Sequence, residues 1–65
     1  MMNKLLFCRR LRRMTQQELA EAAGVSRRTI CYLEQGEHLP TLRVGMKLCR
    51  ALGRSFEEVF ADVLL

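Results

Sequence analysis

Between Thr15 and Ser26 the chain carries three helix-boundary signals within twelve residues, and they leave little freedom to the local fold. The segment TQQE reads as a capping box. The Thr15 hydroxyl accepts from the Glu18 amide, and the Glu18 carboxylate reaches back to the Thr15 amide. A helix started there runs through Leu19, Ala20, Ala22 and Ala23. It stops at Gly24, the residue type that best tolerates the left-handed backbone of a sharp turn. Ser26 then caps another helix. Two helices joined through so short a turn cross steeply and need a small residue where their backbones approach. Ala20, one turn into the first of them, is placed to be that residue.

The rest of the chain continues the helical pattern, with no strand signal. Asn3 is a possible N-cap for a first helix whose apolar positions Leu5, Cys8 and Leu11 recur at i, i+3 and i+6, with arginines between them. The helix capped by Ser26 uses Val25, Ile30 and Leu33 as its inward stripe and ends before Gly36. Thr41, after Pro40, caps a fourth helix, for which the spacing predicts a stripe of Leu42, Gly45, Met46, Cys49 and Leu52, ended by Gly53. Ser55 and Glu58 repeat the capping box and open a short fifth helix with Phe56, Val59 and Phe60. At 65 residues this is one domain with a simple core.

Charge and cysteine usage narrow the function. The chain is formally +4, and residues 1–36 hold seven basic and three acidic side chains, whereas residues 37–65 hold four of each. A basic half suggests a polyanionic partner, although the same charge also serves solubility. No apolar run approaches the ~20 residues needed to span a bilayer, and the N-terminal stretch is broken by charge too early for a secretory signal. A cytoplasmic, nucleoid-associated protein with no membrane partner is expected. Three cysteines without a CxxC pair do not make a disulfide framework, and with His38 they match no zinc spacing, so no metal and no cofactor are expected. Cys31 is a conceivable redox-sensitive thiol, and His38 reads as a solvent-exposed loop residue. There is no Ser-His-acid set, no apolar carboxylate pair and no glycine-rich phosphate loop, which argues against an enzyme.

On a helix of 3.6 residues per turn, positions 27, 28, 31 and 32 lie opposite Ile30 and Leu33. Arg27, Arg28, Cys31 and Tyr32 are therefore expected to project together from the domain. At these residues the stretch TQQELAEAAGVSRRTICYLEQG resembles the helix-turn-helix of the phage-repressor and Cro-like (XRE-type) DNA-binding proteins. Arg9 sits where that family places an arginine six residues before the Thr of TQ. PTLRVGMKLCRALGRSFEEVF resembles the family's closing segment.

The resemblance implies an all-α, lambda-repressor-like bundle of about five short helices, with the helix-turn-helix at about residues 16–35. It implies double-stranded DNA as the partner, a homodimer on a pseudo-palindromic operator, and regulation of transcription, most simply repression. Arg27, Arg28 and Tyr32 match its base-reading positions. Arginine suits that role because its planar fork pairs with the O6 and N7 acceptors of guanine. Gln16 matches a phosphate contact at a helix N-terminus, and Thr15, Arg10 and Arg13 are grouped with it. The family also pairs the arginine matching Arg9 with the glutamate matching Glu34.

Three positions depart from the pattern. Arg13-Met14 replaces the usual Gly-Leu, so an extended end of the first helix is expected. Arg54 replaces an apolar residue, and Glu37 puts an acid in a loop that commonly faces phosphate. The apolar C-terminal segment suggests a dimer patch of Phe56, Val59, Phe60 and Leu64, or simple packing onto the core. It also motivates a second reading, an antitoxin or adaptor that uses this fold to hold a protein partner.

Overall fold

The computed structural model describes residues 3–36 and 38–64, with side chains as far as Asp62. Five helices, and among the described residues no strand, follow one another as α1 (Lys4–Leu11), α2 (Gln16–Ala23), α3 (Arg27–Glu34), α4 (Leu42–Leu52) and α5 (Phe56–Leu64). α2 packs on α3 and α4, α1 on α3 and α5, and α4 on α5. The seven largest fully buried side chains, Leu5, Leu19, Ile30, Leu48, Leu52, Val59 and Phe60, come from all five helices. Each contributes roughly 1.5–3 kcal/mol by leaving water, so no helix holds its place alone.

The caps are local chemistry. Thr15 Oγ1 accepts from the Glu18 amide at 3.0 Å while Glu18 Oε1 accepts from the Thr15 amide at 2.8 Å. Ser26, Thr41 and Ser55 accept from the amides of Thr29, Val44 and Glu58. The Ser55 amide donates to Glu58, which holds that carboxyl below its ordinary pKa. Asn3 does two jobs. Its Oδ1 accepts from the Leu6 amide, and its buried Nδ2 donates to the Leu33 carbonyl at 2.8 Å, joining the start of α1 to the end of α3.

Three helices end in the same way. After α1, α2 and α4, one residue turns left-handed and the next donates its amide back across the last turn: Met14 to Arg9, Val25 to Ala20 and Arg54 to Cys49. This is the Schellman arrangement. At α2 and α4 the left-handed residue is Gly24 (φ +70°) or Gly53 (φ +67°), but after α1 it is Arg13 (φ +56°). The first helix is therefore not extended through Arg13, contrary to the expectation from Arg13-Met14. The turn keeps its shape and an arginine adopts the strained conformation, because Met14 beyond it packs on the core.

The apolar stripes differ from the expected ones in α1 and α4. Leu11 is 51% exposed, and α1 buries Leu5, Cys8 and Arg9 instead. In α4 the core-facing residues are Gly45, Leu48 and Leu52, while Leu42 (71%) and Met46 (48%) face outward. Gly45 is the reason α4 can turn this arc inward. A Cβ at that position would lie 2.5 Å from Phe56 Cε2 and 3.3 Å from Pro40 Cγ, so the Phe56 ring occupies the space a side chain would take. Of the two readings of the C-terminal apolar segment, Val59 and Phe60 follow core packing and not a dimer patch, being buried at 0% and 1%; Phe56 packs partly against the core. The Leu64 side chain and Glu37 lie outside the described residues.

Replacing Arg13 by glycine should raise stability by about 0.5–1 kcal/mol. Relief of the left-handed strain, ~1–2 kcal/mol, exceeds the added flexibility of the unfolded chain. Denaturant unfolding of Arg13→Gly against the parent chain measures the difference.

Candidate nucleic-acid interface

α3 begins at Arg27, so both arginines sit on its first turn, and both are exposed. Their position follows from the turn before them. Val25 closes the end of α2 and is partly buried against the core, and Ala20 and Ala23, 1% and 3% exposed, let α3 approach α2 closely. Ile30 and Leu33 bury the opposite face of α3.

Beneath this edge lies a chain of hydrogen bonds that begins in the core. Arg9 and Glu34 form a bidentate pair, Nε to Oε2 at 2.6 Å and Nη2 to Oε1 at 3.1 Å, with both residues buried. A third donor of the same guanidinium, Nη1, bonds the Met14 carbonyl at 2.7 Å. Glu34 Oε1 also accepts from Gln16 Nε2 at 3.0 Å, and Gln16 Oε1 accepts from Arg27 Nη1 at 3.3 Å. Gln16 is therefore half-buried and joined on both sides. Its amide carries two N–H donors, so one remains for an outside acceptor. Among the described residues, neither Arg27 nor Arg28 is bound to a carboxylate, so the charge of this edge is left uncompensated.

Tyr32 lies one turn further along α3 and is half-exposed. Its ring stacks on His38, with centroids 4.0 Å apart and planes 9° from parallel. His38 is thus half-buried against an aromatic face rather than solvated as expected. Two rings six residues apart across a glycine turn were the available signal. Together with Arg28, Leu39, Thr41 and Val44 these rings line a cleft of about 730 Å³ between α3 and the start of α4. Cys31 is half-buried, not fully exposed. The Thr15 hydroxyl is engaged in its cap, while Arg10 and Arg13 are exposed.

The cysteines and acids do not assemble a metal site among the described residues. Burial pushes the Cys49 thiol above its ordinary pKa, and the neighbouring Cys8 adds to the effect. Cys49 is half-buried and packs against the core.

A family model described as helix-turn-helix matches residues 6–59, a span that runs from α1 into α5 and contains the whole hydrogen-bond chain. The chain belongs to the helix-turn-helix family. This helix-turn-helix protein is 40% identical over 60 residues to an uncharacterized HTH-type transcriptional regulator of Methanocaldococcus jannaschii, covering 92% of this chain and 91% of the relative. It is 48% identical over 48 residues to one of Methanothermobacter thermautotrophicus (72% and 70% covered) and 37% identical over 46 residues to one of Bacillus subtilis (71% and 70%). These matches place it among non-enzymatic regulators. No helix among the described residues is long and apolar enough to cross a membrane.

In this helix-turn-helix protein the Arg9–Glu34 pair should be hard to cut in half. Arg9→Met leaves the Glu34 carboxylate buried without its cation and should cost roughly 3–5 kcal/mol, whereas Arg9→Met with Glu34→Leu should recover most of that loss. Urea unfolding of the two variants tests this. Equal loss in both would show that packing, not the stranded charge, sets the cost.

Proposed function

We propose that this protein binds double-stranded DNA as a homodimer and regulates transcription by occupying a pseudo-palindromic operator, most simply as a repressor. It acts in the cytoplasm, at the nucleoid. The observation that carries the reading is the exposed, uncompensated pair Arg27 and Arg28 on the first turn of α3. The family and the names of its relatives, HTH-type transcriptional regulators, support it.

In this reading α3 enters the major groove and Arg27, Arg28 and Tyr32 face base edges. Arg28 is free to present both guanidinium arms to guanine O6 and N7. Arg27 is held by Gln16 and reaches its base with less freedom to lose. Tyr32, braced by His38, presents a ring edge and hydroxyl to a thymine methyl or a phosphate. Gln16 offers its remaining N–H to a phosphate at the start of α2, where the helix dipole also favours an anion. Thr15 stands beside it, and Arg10 and Arg13 strengthen the positive field that draws the duplex in.

Binding measured on a selected operator and on random duplex separates these roles. Arg28→Ala should weaken the operator by about 1–3 kcal/mol and relax its sequence preference, while Gln16→Ala should weaken both duplexes through the lost phosphate contact, and the operator somewhat more because Arg27 loses its tether. Equal losses on both duplexes for both variants would remove the assigned roles. Log affinity should also fall with log salt by ~0.9 per phosphate neutralised, and a flat response would count against DNA as the partner.

A further inference from the structure

The cleft between α3 and the start of α4 combines three kinds of lining that the exposed arginine edge alone does not need. Leu39, Pro40 and Val44 make it apolar, and Leu39 is 53% exposed there. Tyr32 and His38 make it flat, with rings 4.0 Å apart and 9° from parallel. Arg28 makes it cationic. Among the described residues no acidic side chain lines the cleft, and none pairs with Arg28. The volume, about 730 Å³, falls in the range of roughly 300–1,000 Å³ in which small molecules are held by apolar walls and a few orienting polar groups.

We propose that this cleft binds a planar aromatic carboxylate of one or two fused rings, and that the bound molecule displaces DNA by occupying Arg28 and Tyr32. Each part of the lining selects one property of that ligand. Aromatic faces attract one another in offset, near-parallel stacks, so a third flat ring continues the Tyr32–His38 pair where a branched aliphatic body would meet it only at its methyl groups. The guanidinium of Arg28 is a planar fork that takes both oxygens of a carboxylate at once. Leu39 and Val44 give an apolar body surface to leave water against. A duplex phosphate meets the same guanidinium but brings no such surface to them.

The site stands without the DNA reading above, whereas its regulatory consequence rests on that reading. Arg28 and Tyr32 line the cleft and are also the side chains assigned there to base edges. A carboxylate on Arg28 cancels its charge, and a ring on Tyr32 covers the surface that a base would meet. The two ligands therefore exclude each other. The apparent dissociation constant for the duplex should rise by the factor 1 + [L]/Kd, about tenfold when the free carboxylate stands at nine times its own Kd.

Titration with 1-naphthoate in the absence of DNA tests the site. The chain has one tyrosine and one histidine, so the ring-proton NMR signals of Tyr32 and His38 are unambiguous reporters. Both should shift and saturate together, with a dissociation constant of about 1 mM or below for a ligand of this size. Arg28→Gln should weaken 1-naphthoate roughly fivefold or more and leave the neutral 1-naphthamide unchanged, while His38→Ala should weaken both. Arg43→Gln removes an arginine of α4 that lies outside the cleft and should bind as the parent does. Arg28 and Arg43 are exposed, so both variants should keep the helical circular dichroism of the parent. Ring signals that do not saturate by ~5 mM overturn the proposal, as does an Arg43→Gln loss equal to that of Arg28→Gln. A naphthoate-saturated chain that binds duplex with unchanged affinity overturns the displacement. A chain that binds 1-naphthoate and no duplex supports the cleft and sinks the operator reading, while a chain that binds duplex and no 1-naphthoate does the reverse.

Discussion

The bond between Arg9 and Glu34 holds in register the three helices that carry the exposed edge. One guanidinium from α1 satisfies both carboxylate oxygens at the end of α3 and the carbonyl of Met14 in the turn leading to α2. Glu34 then takes Gln16, at the first residue of α2, as a further donor. Removing two charges from water costs several kcal/mol per ion, and the bidentate geometry with its added hydrogen bonds roughly offsets that cost. Well-packed apolar side chains of similar volume would serve net stability as well. They would slide past one another, whereas four directional bonds from two residues permit one arrangement. The pair therefore contributes position more than free energy. What it positions is the start of α2 relative to the end of α3.

Much of this fold was legible in the sequence because its punctuation is local. A serine or threonine that caps a helix, or a glycine that ends one, acts on amides within a few residues of itself. Thr15, Ser26, Thr41, Ser55, Gly24 and Gly53 accordingly stand at the boundaries their residue types indicate. The side each helix turns inward was harder to read. α4 is apolar over a broad arc, and periodicity alone does not choose between an arc centred on Met46 and one centred on Leu48. The choice depends on Phe56, eleven residues beyond Gly45, whose ring fills the gap at that glycine. Arg13 shows the converse. Its residue type argues against a left-handed turn, yet the core contact of Met14 and the return bond from Met14 to Arg9 outweigh a strain of ~1–2 kcal/mol.

The site was legible to a different depth. Helical spacing is enough to put Arg27, Arg28 and Tyr32 on the outer side of α3. It does not reveal what holds them, because Gln16 is eleven residues from Arg27 and His38 reaches Tyr32 from beyond Gly36. Both supporting contacts cross a turn whose geometry must be known before the partners can be paired.

These supports divide the exposed edge into unlike halves. Arg27 is tethered through Gln16 and Glu34 to a buried cation, so moving its guanidinium disturbs a network that ends in the core. Arg28 has no such tether among the described residues and keeps its rotamer freedom until something binds it. Fixing a long flexible side chain costs on the order of 1–2 kcal/mol, so a ligand meets a lower entropic cost at position 27 than at position 28. The tether ends on a neutral amide rather than a carboxylate, and it orders Arg27 without cancelling its charge. A carboxylate in place of the Gln16 carbonyl would hold the arginine more firmly and oppose an incoming polyanion. Glutamine at position 16 is thus suited to both demands, placement and attraction, because its polarity orients a cation while adding no charge of its own.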